Sequence, residues 1–171
     1  MTRRGILLIV AVAVAITTAA VYWFGPQHLF LDTRVDEALP TAATADGQTA
    51  DAEKIEGPTV LSMGEFRSLA HGTRGVASIL ELKDGSRFLR IERLETSSGP
   101  DVRVYLSEAP ADADADAHDD AFLDLGGLKG NHGDQNYEIP RGVDLDDYES
   151  VTIWCRRFAV GFGVAPLEAA R

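Results

Sequence analysis

The sequence predicts an all-β domain, an antiparallel β-sandwich, preceded by one N-terminal transmembrane helix and a flexible tether. Three observations predict it. Residues 5–24 are uncharged and mostly apolar, residues 32–58 have almost no large apolar side chain after Leu39, and short β-rich segments with turn chemistry between them follow from residue 74. The expected division is 1–4 cytoplasmic, 5–24 transmembrane signal anchor, 25–59 extracytoplasmic tether and 60–167 sandwich domain.

The anchor is argued from length and flanks. At the helical rise, residues 5–24 span about 30 Å, the thickness of the hydrocarbon core. Arg3 and Arg4 precede the run, and Tyr22 and Trp23 close it where interfacial aromatics belong. The basic flank stays cytoplasmic, so the chain is expected to be a single-pass cell-membrane protein with its C-terminal domain outside. A cleaved signal peptide is the competing reading, because Thr18-Ala19-Ala20 offers small residues for cleavage. The run continues past those alanines, which favours an uncleaved anchor.

Ala, Thr, Asp and Glu dominate residues 32–58, broken by Pro40, Gly47 and Pro58. Such a segment buries too little surface to offset its ordering entropy and is expected to act as a spacer, with at most a helical turn over 34–39.

In the domain, residues 74–82 and 87–94 flank Asp84-Gly85, a hairpin signal because tight hairpin turns need positive φ. Further strands are expected over 102–107, 122–125, 136–139, 150–156 and 158–164. In the last, Phe158, Val160, Phe162 and Val164 share one face, while Ala159, Gly161, Gly163 and Ala165 leave the other small for close approach of a neighbouring layer or chain segment. A helical turn is expected within 142–148. Short strands at this spacing point to a sandwich rather than a parallel sheet.

The formal net charge of −11 excludes a nucleic-acid-binding surface. Residues 109–121 carry much of the acidity and read as a mobile, solvated loop. Alternating Asp112, Asp114 and Asp116 suggest calcium, but an EF-hand count places Ala117 at the glycine position and Leu123 at the bidentate glutamate. No metal site is expected: none of His28, His71, His118 and His132 is paired at a metal-binding spacing, and one thiol excludes a multi-cysteine zinc site. Hydrolase signatures are absent.

Cys155, the only cysteine, lies next to Trp154 and alternates with Val151 and Ile153, which turns it to an apolar face. A buried thiol in apolar surroundings is inert. Outside the cell, however, an exposed lone thiol oxidises or pairs, and no second cysteine exists for an internal bridge. Core residue and redox thiol are both open readings. Residues 128–137 also carry two readings. One is a tight turn knitted by Asx contacts. The other is a rigid ligand loop formed by Lys129, Asn131, Asp134, Gln135, Asn136 and Tyr137, with His132 beside them. A phosphate loop is excluded, because no Gly-Lys-Ser or Gly-Lys-Thr precedes a helix.

Together these motifs resemble a known family. Gly99-Pro100-Asp101-Val102 runs into Val104-Tyr105-Leu106-Ser107, and Leu128-Lys129-Gly130-Asn131 is followed by Gly133-Asp134-Gln135-Asn136-Tyr137. Trp154-Cys155 then leads to Phe158 and Phe162-Gly163, with Gly64-Glu65-Phe66, His71 and Gly75 upstream. In this order they resemble the DM13 domain family over about residues 60–167, departing from it mainly in the acidic insert at 109–121. The resemblance implies an extracytoplasmic β-rich domain taking part in electron transfer through the Trp-adjacent cysteine or a bound prosthetic group. Cys155 is then the candidate redox thiol, and Cys155, His71 and His132 are the cofactor-binding candidates. The cofactor is unspecified; noncovalent haem suits such ligands, whereas covalent haem lacks its C-x-x-C-H signature. The partner would be an envelope redox protein. In the alternative, a non-catalytic envelope binding domain, Cys155 belongs to the core.

Overall fold

The computed structural model describes residues 3–24, 32–41 and 57–170. The remaining expected tether residues, and His28, lie outside the described residues. Helix α1 (Arg3–Phe24) has 22 residues. Among the described residues no helix is long and apolar enough to cross a membrane. The side chains of Leu8, Ala20, Val21, Trp23 and Phe24, which belong to the same run, lie outside that set.

Two sheets face each other. The first contains β1 (Arg34–Asp36), β2 (Thr59–Glu65), β4 (Arg74–Glu81), β5 (Arg87–Glu95), β8 (His132–Ile139) and β11 (Glu168–Ala169), in the order β1-β8-β5-β4-β2-β11. The second contains β3 (Arg67–Ser68), β6 (Val102–Ser107), β7 (Phe122–Gly127), β9 (Ser150–Cys155) and β10 (Val160–Pro166), in the order β3-β10-β9-β6-β7. Ladders are antiparallel except β1 on β8. Between the sheets, Ile79, Leu89, Ile91, Leu94 and Ile139 pack in one core with Val104, Leu106, Val151, Ile153, Cys155 and Phe162. Alternating apolar residues on both inner faces produce that layer, the principal hydrophobic contribution to the fold.

Four expectations change. Residues 32–41 are not a free spacer: Arg34–Asp36 forms a strand on the domain, with no helical turn. The turn expected before residue 136 is instead the first half of β8, whose Gly133, Gln135 and Tyr137 point inward. The acidic insert is ordered, with a 3-10 turn over Ala115–Asp119 that buries His118 completely. Phe158 leaves β10 for the preceding turn and is exposed. A bulge between Gly161 and Gly163 then reverses the alternation, placing Val164 opposite Thr152 rather than on the face of Phe162. The bulge also splits the expected small face, with Gly161 opposite Trp154 and Gly163 opposite Ile153, though both are closely approached: a Cβ on Gly161 would meet Trp154 Cζ3 at 3.3 Å, and one on Gly163 would meet Thr73 Cβ at 2.5 Å. The turn expected within 142–148 is present as Leu145–Asp147, capped by the Asp144 carboxylate.

Candidate functional site

Two sequence motifs meet at one end of the sandwich. Residues 98–102 and 128–131, with Thr33, line a cleft of about 360 Å³. The Leu128 amide donates to the Val102 carbonyl at 2.8 Å, tying the two segments together.

Cys155 ends β9 behind this cleft. It is fully buried between its cross-strand neighbours Val102 and Val160. A Cβ on Gly99 would meet Val102 Cγ2 at 2.8 Å, Phe162 Cζ at 3.2 Å and Cys155 Sγ at 3.7 Å. Gly99 of the cleft wall therefore packs, through its missing side chain, against Val102, Phe162 and the thiol. Trp154 faces away, against the other side of its sheet, and is also buried.

The motif after residue 128 is held mostly by its own side chains. Gln135 Oε1 accepts from the amides of Lys129 at 3.1 Å and Gly130 at 3.3 Å and from the Tyr137 hydroxyl at 2.7 Å, while Gln135 Nε2 donates to the Gly130 carbonyl at 2.6 Å. Burial pushes the Tyr137 phenol well above its ordinary pKa. Asp134 accepts from Arg90 Nη2 at 2.7 Å and from the Arg93 amide at 2.8 Å, and that bond holds Arg93 in a left-handed bulge conformation. These groups serve one another first, so the ligand-loop residues divide: Lys129 and Asn131 line the cleft, while Gln135 and Tyr137 support it from beneath.

The second set of partners comes from residues 32–38. Asn131 Oδ1 accepts from the Thr33 amide at 2.7 Å, and Asn131 Nδ2 donates to Asp32 at 2.8 Å and to the Thr96 carbonyl at 3.2 Å. Lys129 Nζ donates to both Glu37 carboxylate oxygens, at 2.8 and 3.0 Å. Burial alone would raise the Glu37 pKa, but hydrogen bonds from Lys129 and the Asn136 amide, with the charges of Lys129 and Arg90, bring it below the usual carboxylate range. Sequence reasoning missed Thr33, Glu37 and Arg90. A signal existed for Arg90, a guanidinium at mid-strand between core residues Leu89 and Ile91, nearly inaccessible and bonded to Asn136.

The histidines do not join Cys155 around a common space. His71 packs against Phe162 with its ring tilted by 45° and the ring centroids 4.1 Å apart. His132 faces Asp32 at 3.6 Å and lines a separate hollow with Thr73, Thr96 and Ser97. A larger cleft, about 840 Å³, lies at the other end of β9 near Glu149 and Tyr148, and its lining among the described residues includes no histidine or cysteine. Among the described residues no cluster of three or more His, Cys, Asp or Glu is arranged to hold a metal. A haem ligated by Cys155, His71 or His132 does not fit this arrangement: the thiol has no exposed surface, and the two imidazoles are directed elsewhere.

One family's sequence model, described as Electron transfer DM13, matches residues 65–167. No curated protein and no solved structure gives a significant match.

Proposed function

We propose, from the premise that this chain belongs to the DM13 family, that it is a membrane-tethered extracytoplasmic electron-transfer module that docks a redox partner at the cleft formed by residues 98–102 and 128–131. The observation that carries this reading is the convergence of separated family motifs on one cleft, with Cys155 directly behind Gly99. The tether is argued from α1, a helix of 22 residues with Arg3 and Arg4 at its start and an uncharged sequence from residue 5 to 24, including the positions whose side chains are not described. In this reading Cys155 loses one electron to a one-electron acceptor in the docked partner and its proton to water. A donor of the same class reverses both. No step is derived through a bound prosthetic group, because the candidate ligands do not converge.

The complete burial of Cys155 favours a second reading, an envelope binding domain in which the thiol is only core. Protein-film voltammetry on the full chain separates the two. A reversible midpoint present in the native chain and absent from Cys155→Ser supports electron exchange at the thiol. No midpoint, with a thiol that labels only after unfolding, leaves the binding domain.

A further inference from the structure

We infer that residues 32–38 are a built-in latch, which shortens the tether and turns the cleft end of the domain toward the bilayer. The orientation rests on the anchored reading above; the latch rests on the contacts of residues 32–38 alone.

The latch is a fitted segment, not a passing contact. β1 pairs in parallel with β8 in the register Arg34–His132, Val35–Gly133 and Asp36–Asp134. Its main chain is held along its length. The His132 amide donates to the Thr33 carbonyl at 3.2 Å, and the Glu37 amide to the Asp134 carbonyl at 2.9 Å. Arg90 Nη1 donates to the Glu37 carbonyl and Asn136 Nδ2 to the Ala38 carbonyl, each at 2.7 Å. The receiving surface is shaped for it. A Cβ on Gly130 would lie 2.5 Å from the Thr33 carbonyl oxygen, and one on Gly133 would run into the Val35 carbonyl. Residues 32–38 lie outside the family match, which begins at residue 65, yet their partners Lys129, Asn131 and Asn136 lie within it.

Direction and length supply the orientation. Because β1 runs parallel to β8, the chain arriving from the helix meets the domain at the His132 end, where Thr33 lines the cleft. From Phe24 to Asp32 there are eight Cα steps, at most about 29 Å. With β1 undocked, the connection would run from Phe24 to Gly57, up to roughly 120 Å at the same step length. The latch therefore shortens the reach about fourfold by that contour estimate and selects the end that is tied down. The Ser150 end of β9, with the larger cleft, lies about 17 Å farther along the strand direction. A partner using the Gly99 cleft must then be met at the membrane surface, as a membrane-held protein rather than one diffusing free.

The test uses the full chain in phosphatidylcholine vesicles with an energy-transfer acceptor on the headgroup. A donor dye is placed at Ser98→Cys, beside the cleft, or at Asp112→Cys, at the far end. Severalfold stronger quenching at Ser98→Cys is expected, and the difference should vanish in Thr33→Pro/Glu37→Ala, which disables the latch without touching the core. Equal quenching at both sites in chains that float with the vesicles overturns the orientation while leaving the anchor intact. A chain that fails to float overturns the anchor and the orientation with it. Hydrogen exchange tests the latch without reference to the membrane: the Glu37 amide should be protected, and exchange at the free-peptide rate overturns the latch.

Discussion

The two ends of the sandwich treat buried polar groups differently, although beside the cleft too one buried atom, Arg90 Nε, has no hydrogen bond among the described residues. At the cleft end Gln135 satisfies four polar groups of three residues at once, and Asn131, Asp134 and Asn136 each bond across to another segment. At the far end His118 is fully buried with Nδ1 3.4 Å from Ser150 Oγ, and among the described residues its Nε2 has no hydrogen-bond partner, nor has Thr152 Oγ1 two residues along β9. A connected network holds one geometry and makes the loss of a member costly. An imidazole seated without a full set of partners ties its loop to the sheet only while it stays neutral. The cleft end is thus preorganised for docking, and the far end is sensitive to pH.

The largest effect should come from breaking the network. Gln135→Leu leaves the amides of Lys129 and Gly130, the Gly130 carbonyl and the Tyr137 hydroxyl to find other partners around an apolar side chain. The expected cost is roughly 3–5 kcal/mol, since a buried group left unpaired costs about 1–3 kcal/mol and some relaxation follows. Urea unfolding measures it, and a loss below about 1 kcal/mol would show that the network is not what holds this end.

Next in size is Cys155→Ser. The hydroxyl would sit among Val102, Val160 and Phe162, where the fold supplies apolar contacts, and should cost about 1–3 kcal/mol unless it recruits a carbonyl. The native thiol should resist labelling until the domain opens. Rapid labelling of the folded chain would mean that the Gly99 wall parts readily, and it would bring the thiol closer to direct chemistry.

The same contrast explains what could be read from the sequence. The β4–β5 hairpin is legible because its determinants are local: Gly85 takes φ +76° and Asp84 bonds the Ser86 amide at 2.9 Å. β6 is legible over its full length from alternation. β1 is not, because three residues, Arg-Val-Asp, carry no hydrophobic period; they pair with β8, and flanking Thr33 and Glu37 are held by partners nearly a hundred positions away. The first half of β8 reads as a turn because Gly133, Asp134 and Asn136 are turn formers. Here they serve a bulge, an ion pair and a cross-strand contact. The burial of His118 is equally invisible among aspartates, since it depends on Ser150 lying beneath it. Each half of the cleft is conspicuous as a motif; their meeting is a property of the fold alone.

At the far end, acid should loosen what neutrality holds. Burial lowers the His118 pKa from 6.5, and the charge of Arg67 acts in the same direction. The unfolded chain takes up a proton near pH 6.5 while the folded chain refuses it. Stability therefore falls as pH drops below 6.5, by up to about 1.4 kcal/mol per pH unit, until the lowered folded pKa is reached. Above pH 6.5 this group contributes no slope. His118→Gln should flatten the dependence in this window, and an unchanged slope would assign the acid sensitivity elsewhere.

The smallest effect belongs to the neighbouring carboxylate and has the opposite sign. Burial raises the Asp119 pKa above 3.8, with the like charges of Asp120 and Asp116 adding to it. A carboxyl whose folded pKa is raised is a burden when ionised at neutral pH. That burden lifts as pH falls through the raised value, because the folded state then binds the proton first. Asp120→Asn removes one of the causes. It should stabilise the domain at pH 7 by less than about 1 kcal/mol, the scale of surface charge interactions, and should shrink the gain on acidification. Thermal unfolding at pH 7 and pH 4.5, in the His118→Gln background to remove the larger opposing slope, resolves it. A variant that lowers Tm at pH 7 would show that Asp120 contributes a favourable contact to the insert that outweighs the repulsion.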